Sequence, residues 1–84
     1  MRLVFDPSAL EDLRFWTQTN QRKSLKILDL IESVQRTPFE GIGKPEPLKF
    51  ELTGAWSRRI DQEHRLVYGV DKDEIRIMNC RLHY

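Results

Sequence analysis

Three groups of residues stand out for the chemistry their types could do. Glu46 lies between Pro45 and Pro47, with Lys44 and Lys49 close by in the chain. Arg58, Arg59 and Arg65 fall in two neighbouring segments, and the sequence closes on His83-Tyr84, an imidazole beside a phenol. A carboxylate, an imidazole and guanidinium groups are the parts needed to cut RNA without a metal. A base takes the proton of a ribose 2′-hydroxyl, the oxygen attacks the adjacent phosphorus, and an acid protonates the departing 5′-oxygen. Cations stabilise the crowded charge on the phosphate. Arginine suits that last role because its planar fork matches phosphate oxygens. A tyrosine can stack on a base or donate a proton. Each feature also has a plainer reading. A Pro-Glu-Pro glutamate is commonly a loop carboxylate. Strand arginines are commonly solvated or paired with neighbours such as Asp61 and Glu63, and a terminal His-Tyr pair commonly frays.

The other titratable groups point elsewhere. Cys80 is the one cysteine, so no internal disulfide forms, and its alternating apolar-polar setting reads as a buried structural thiol. His64 and His83 are far apart and have no cysteine or carboxylate at ligand spacing, which gives no zinc set. No cofactor is implied. The net charge is +1, and residues 36–84 hold nine Lys/Arg against eight Asp/Glu, so the strongly basic signature of a nucleic-acid binder is missing. If RNA binds, local geometry or a second body carrying the RNA must supply the attraction.

The elements that would position these groups follow from pattern. Residues 2–5 read as a short strand. Asp6-Pro7 starts a helix, with Ser8 and Glu11 as an alternative capping box, and Leu10, Leu13 and Trp16 follow at helical spacing. Residues 17–20 interrupt that pattern. Asn20 then caps a second helix to about Arg36, with Ile27, Leu28, Ile31 and Val34 on its apolar face and Lys23, Lys26, Asp29 and Glu32 as a solvated stripe. Thr37-Pro38 ends it. Residues 37–47 form a loop. Strands are expected at 48–52, 55–61, 64–70 and 75–82, with turns at Thr53-Gly54, Gln62-Glu63 and 71–73. The fold class is therefore α+β, with two N-terminal helices packed on one face of a four- or five-stranded, mainly antiparallel sheet in a single domain spanning 1–84. Alternation places Trp56 and Ile60 on one strand face, and Ser57, Arg59 and Asp61 on the other. Arg59 and Arg65 share the polar face only if the intervening loop has odd length or carries a bulge. The sequence has no apolar run near the ~20 residues of a membrane span and no secretory leader at its start, so a cytoplasmic location and no membrane partner are expected.

Several of these segments together resemble the YoeB (Txe) toxins of the RelE superfamily. They are Arg36-Thr37-Pro38-Phe39-Glu40-Gly41-Ile42-Gly43-Lys44-Pro45-Glu46-Pro47-Leu48-Lys49, Trp56-Ser57-Arg58-Arg59-Ile60, Glu63-His64-Arg65-Leu66-Val67-Tyr68 and Cys80-Arg81-Leu82-His83-Tyr84. The resemblance is close across 36–84 and looser across 1–35. It implies a microbial-ribonuclease-like fold and a toxin that cleaves mRNA in the ribosomal A site. It also implies a cognate antitoxin as partner, and a homodimer is left open. By motif position Glu46 would be the general base, His83 the general acid and Arg65 the stabiliser of the transition state. Lys49, Arg59 and Tyr84 would position the RNA. Two other readings compete, a non-enzymatic inhibitor on the same fold and a simple interaction module. Neither needs the Glu46, Arg65 and His83 set.

Overall fold

The structure, a computed structural model, describes residues 1–81. The elements run β1 (Arg2–Phe5), α1 (Pro7–Thr19), α2 (Gln21–Arg36), β2 (Glu46–Pro47), a single 3-10 turn (Phe50–Leu52), β3 (Ala55–Arg59), β4 (Arg65–Val70) and β5 (Glu74–Asn79). One five-stranded sheet has the order β1-β5-β4-β3-β2. β1 pairs parallel with β5, and the other pairings are antiparallel. Both helices pack on one face, as the α+β expectation has it. The parallel pairing arises because the helical hairpin lies between the two strands, giving the chain the long crossover that parallel neighbours need.

Pro7 stands at the start of α1 with Asp6 as its cap residue. The Asp6 carboxylate makes no capping bond and instead accepts from Arg76 Nε on β5 at 2.7 Å. The helix runs on through Thr17 and Thr19, whose hydroxyls bond back to the carbonyls of Leu13 and Phe15, so the expected interruption at 17–20 shrinks to Asn20 alone. Asn20 closes α1 and opens α2, its side chain accepting from the Lys23 backbone N–H. The buried face of α2 is Ile27, Leu30, Ile31 and Val34, the i, i+3, i+4, i+7 stripe. Leu28, expected on that face, is exposed, and Leu30 takes the core position.

The core joins these residues to Ala9 and Trp16 of α1, and to Leu66, Tyr68, Ile75 and Ile77 of the sheet. Cys80 closes it, fully buried, its carbonyl accepting from Trp16 Nε1 at 2.8 Å. Burial, with Asp12 nearby, pushes the Cys80 thiol up to about 12, in line with a structural cysteine. The expected strand at 48–52 is not formed. Only Glu46–Pro47 pairs with β3, and Leu48 N–H adds one further bond to Ala55 O. Two prolines cannot donate to a ladder, which confines this segment to a short edge strand. β5 stops at Asn79 rather than 82. A register shift between Val67 and Tyr68 bulges it against β4.

Candidate active site

The register between β3 and β4 settles which arginines meet. Arg59 pairs with Arg65 and Ser57 with Val67, so Ser57, Arg59 and Arg65 lie on the face away from the helices. This needs an odd loop, and the connection through 60–64 is one. The two-residue Gln62-Glu63 turn is accordingly replaced by a wider one, in which Ile60 and Asp61 N–H both bond His64 O. Like charges directly opposed across a ladder repel, and β2 relieves this pair. Glu46 stands opposite Ser57 on β3, and its Oε1 is 3.6 Å from Arg65 Nη1. The same Nη1 donates to Ser57 Oγ at 3.2 Å. Arg65 thus reaches diagonally across β3, held by a buried serine on one side and a carboxylate on the other. The Glu46 side chain is 51% exposed and that of Arg65 26%. The base candidate is open to a ligand, while the cation is partly sheltered.

Arg59 is exposed, and among the described residues it makes no side-chain hydrogen bond or ion pair. Lys49, also exposed, follows Glu46 by three residues in the same hairpin. His83 and Tyr84 lie outside the described residues. The structure therefore brings Glu46, Arg65 and Arg59 onto one surface, with Lys49 in the adjoining loop.

Arg58 does not join them. It is fully buried on the helix side of β3, and all five of its N–H donors are used. Nε donates to Tyr68 Oη at 3.2 Å. Nη1 donates to Ser33 Oγ at 2.6 Å and Ile42 O at 3.1 Å, and Nη2 to Thr37 O at 2.6 Å and Glu40 O at 2.8 Å. Tyr68 Oη donates onward to Pro38 O. Burial pushes the Tyr68 phenol up, against the lowering influence of Arg58. Thr37 is the C-cap of α2, so the guanidinium meets the negative end of a helix dipole instead of a carboxylate. The loop leading to Glu46 folds around this one side chain. A Cβ at Gly43 (φ +82°) would come within 2.7 Å of Leu30 Cδ2 and 3.1 Å of Arg58 Cβ, so the loop can close only with glycine there. Gly43 O then accepts from Arg59 N–H at 2.7 Å, which fixes the loop to β3 just before Glu46.

Two more charged residues are placed otherwise than their pattern suggested. Lys23 leaves the solvated stripe, and its Nζ bonds Asp61 Oδ2 at 2.6 Å. Asp61 also accepts from the Glu63 and His64 N–H groups through Oδ1. Burial raises the Asp61 carboxyl, but the Lys23 hydrogen bond and the two backbone donors outweigh it, and its pKa falls to about 2. Asp61 is thus a turn anchor and does not neutralise the arginines. Ser57 is the residue that type alone does not mark. Alternation already placed it on the Arg59 face, which was the available signal. Among the described residues no group of three or more His, Cys, Asp or Glu side chains is arranged to hold a metal ion. No helix among them is long and apolar enough to cross a membrane.

The fold occurs in known proteins. Residues 5–84 match the family described as the YoeB-like toxin of bacterial type II toxin-antitoxin systems. Toxin YoeB of Mycobacterium bovis is 54% identical over 85 residues, covering 100% of both chains. Among solved structures, the YoeB/ParE toxin from Agrobacterium tumefaciens superposes with a TM-score of 0.96 at 49% identity, over 100% of each chain. YoeB from Staphylococcus aureus has been solved as a dimer (TM-score 0.92, 47% identity) and as a YoeB-YefM complex (0.90, 48%), in each case covering 100% of this chain and 98% of the other. The two helices on a five-stranded sheet and the full-length match converge, and the chain belongs to the YoeB-like toxin family of bacterial type II toxin-antitoxin systems.

Proposed function

We propose that this toxin is an endoribonuclease that cleaves mRNA in the ribosomal A site by attack of the substrate's own 2′-hydroxyl. The observation that carries the reading is the Glu46–Arg65 contact at 3.6 Å, on a face where Arg59 stands directly opposite Arg65. A half-exposed carboxylate there can accept the 2′-hydroxyl proton. As the 2′-oxygen bonds to phosphorus, charge grows on the non-bridging oxygens, next to a guanidinium already fixed by Ser57. The bond from phosphorus to the 5′-oxygen breaks, and that oxygen takes a proton from His83. Lys49, Arg59 and Tyr84 hold the strand in place. The tethered nucleophile removes a bimolecular encounter, and the chemistry asks for no metal. A net charge of +1 suits an enzyme whose substrate is presented by the ribosome, because free affinity for RNA rests largely on phosphate neutralisation.

The remaining assignments go with this reading. The chain acts as one domain over 1–84 in the cytoplasm. A cognate antitoxin silences it by covering the Arg59–Arg65 face and the His83-Tyr84 end, and self-association like that of the S. aureus dimer is open to it. The test is a translating extract to which the protein is added, with new 5′ ends mapped on the message. Wild type should generate ends with a 5′-hydroxyl downstream and a 2′,3′-cyclic phosphate upstream. Glu46→Gln and His83→Ala should each lose ~10²–10⁴-fold in rate. A message carrying 2′-deoxyribose 5′ to the cut should resist cleavage there. Unchanged cutting of that message would exclude the mechanism.

A further inference from the structure

Phe50 is the most exposed large apolar side chain among the described residues, at 90%. Its backbone has φ +57°, a left-handed conformation that a bulky L-residue adopts only at a cost. The hairpin between β2 and β3 imposes it. Leu48 N–H bonds Ala55 O at 2.8 Å, Leu52 N–H bonds Lys49 O at 3.2 Å, and both the N–H and the hydroxyl of Thr53 donate to Phe50 O, at 3.0 and 2.6 Å. An aromatic held in strained backbone and shown to solvent contributes nothing to the core. Strain of this kind, over-determined by its surroundings, marks a place where function can outweigh stability.

We propose that Phe50 is a further RNA-binding residue of this toxin, a platform on which an unstacked nucleobase rests. The proposal builds on the ribonuclease reading above and adds a contact to it. Phe50 follows Glu46 by four residues, so the two Cα atoms are at most about 14 Å apart, a span of a few nucleotides. Its chain neighbours Lys49, Glu51 and Thr53 are exposed and polar, and the cations Lys44, Lys49 and Arg59 sit along the same hairpin and strand pair. One exposed aromatic among cations is how single strands are held: charge follows the backbone and the ring takes a base. The base can belong to the message or to the ribosomal RNA around it.

The test compares Phe50→Gly and Phe50→Trp with wild type. Cleavage by wild type in the extract is measured first; its absence would defeat the ribonuclease reading itself and, with it, this proposal. Given that activity, Phe50→Gly should leave Tm unchanged or raise it by a few degrees, because glycine adopts positive φ freely and no buried surface is lost. It should lower kcat/KM by about 5- to 150-fold, the range set by loss of one base-aromatic stack. Phe50→Trp should retain most activity. Two binding arms in a Glu46→Gln background separate the sources. A Phe50→Gly defect toward a single-stranded RNA oligonucleotide assigns the base to the message, and a defect toward vacant ribosomes assigns it to ribosomal RNA. Unchanged cleavage by Phe50→Gly would overturn the proposal, as would a fall in Tm in step with lost activity. So would a defect confined to antitoxin binding or self-association.

Discussion

Arg58 and Arg59 are neighbours of identical type, and the structure assigns them opposite fates. Replacing each by lysine keeps the charge and removes the fork. At position 58 a lysine ammonium offers three donors where five acceptors are in place. At least two of Tyr68 Oη, Ser33 Oγ and the carbonyls of Thr37, Glu40 and Ile42 would lose a partner. Each buried acceptor left unmatched costs about 1–3 kcal/mol. The hydroxyls can rotate and the loop can admit some water, so the lower half of that range applies, about 2–4 kcal/mol in total. A chain of this length has roughly 4–13 kcal/mol to lose. R58K should therefore fold, with a Tm lower by about 8–32 °C, at ~4–8 °C per kcal/mol for a domain of this size. R59K, exposed and unpaired among the described residues, should stay within ~0.5 kcal/mol of wild type. Urea and thermal unfolding of both variants, followed by far-UV circular dichroism, measure the difference. If the two midpoints agree within about 3 °C, Arg58 does not hold the 37–43 loop as described, and the account of how Glu46 is positioned fails with it.

The Asp61 carboxyl, depressed from 3.8 to about 2, contributes stability that is present above its unfolded pKa and lost as pH falls through the folded one. Asp61→Asn should therefore be less stable than wild type above pH 4 by a constant margin that closes between pH 4 and about 2, and parallel unfolding profiles across that window would refute the pairing. Ser57→Ala should cost only about 1 kcal/mol while cutting kcat more than KM is raised, since Arg65 loses the bond that aims it; a KM effect alone would mean that Ser57 acts on binding. Cys80, buried with its thiol pushed up to about 12, should resist alkylation at neutral pH in the native protein and react on unfolding. Rapid native-state labelling would show that the end of β5 opens readily.

Much was legible in the sequence because local signals sufficed. Pro7 and Asn20 mark helix starts whatever surrounds them, the helical stripe of α2 needs only its own period, and Thr37-Pro38 ends that helix. Charge type and order gave the candidate groups, and motif resemblance gave them roles. The errors fall where local pattern is ambiguous. Leu48, Phe50 and Leu52 alternate like a strand, yet the chain turns there, and Phe50 emerges into solvent at positive φ. Leu28 and Leu30 both neighbour the apolar stripe, and only packing against the sheet selects Leu30.

The sequence by itself determined the two helices, the strands outside 48–52, the α+β class and the residue types available for chemistry, because periodicity, proline and capping act over a few residues. Tertiary structure decided which of those residues meet. The number of residues between Arg59 and Arg65 fixes a register that puts them side by side, and the period of two then sends Arg58 to the opposite face. There it met the open end of α2 and the carbonyls of the 37–43 loop, partners 16 to 25 residues away in the chain. A guanidinium can be buried only if its donors are matched, and no local pattern reveals whether such partners will arrive.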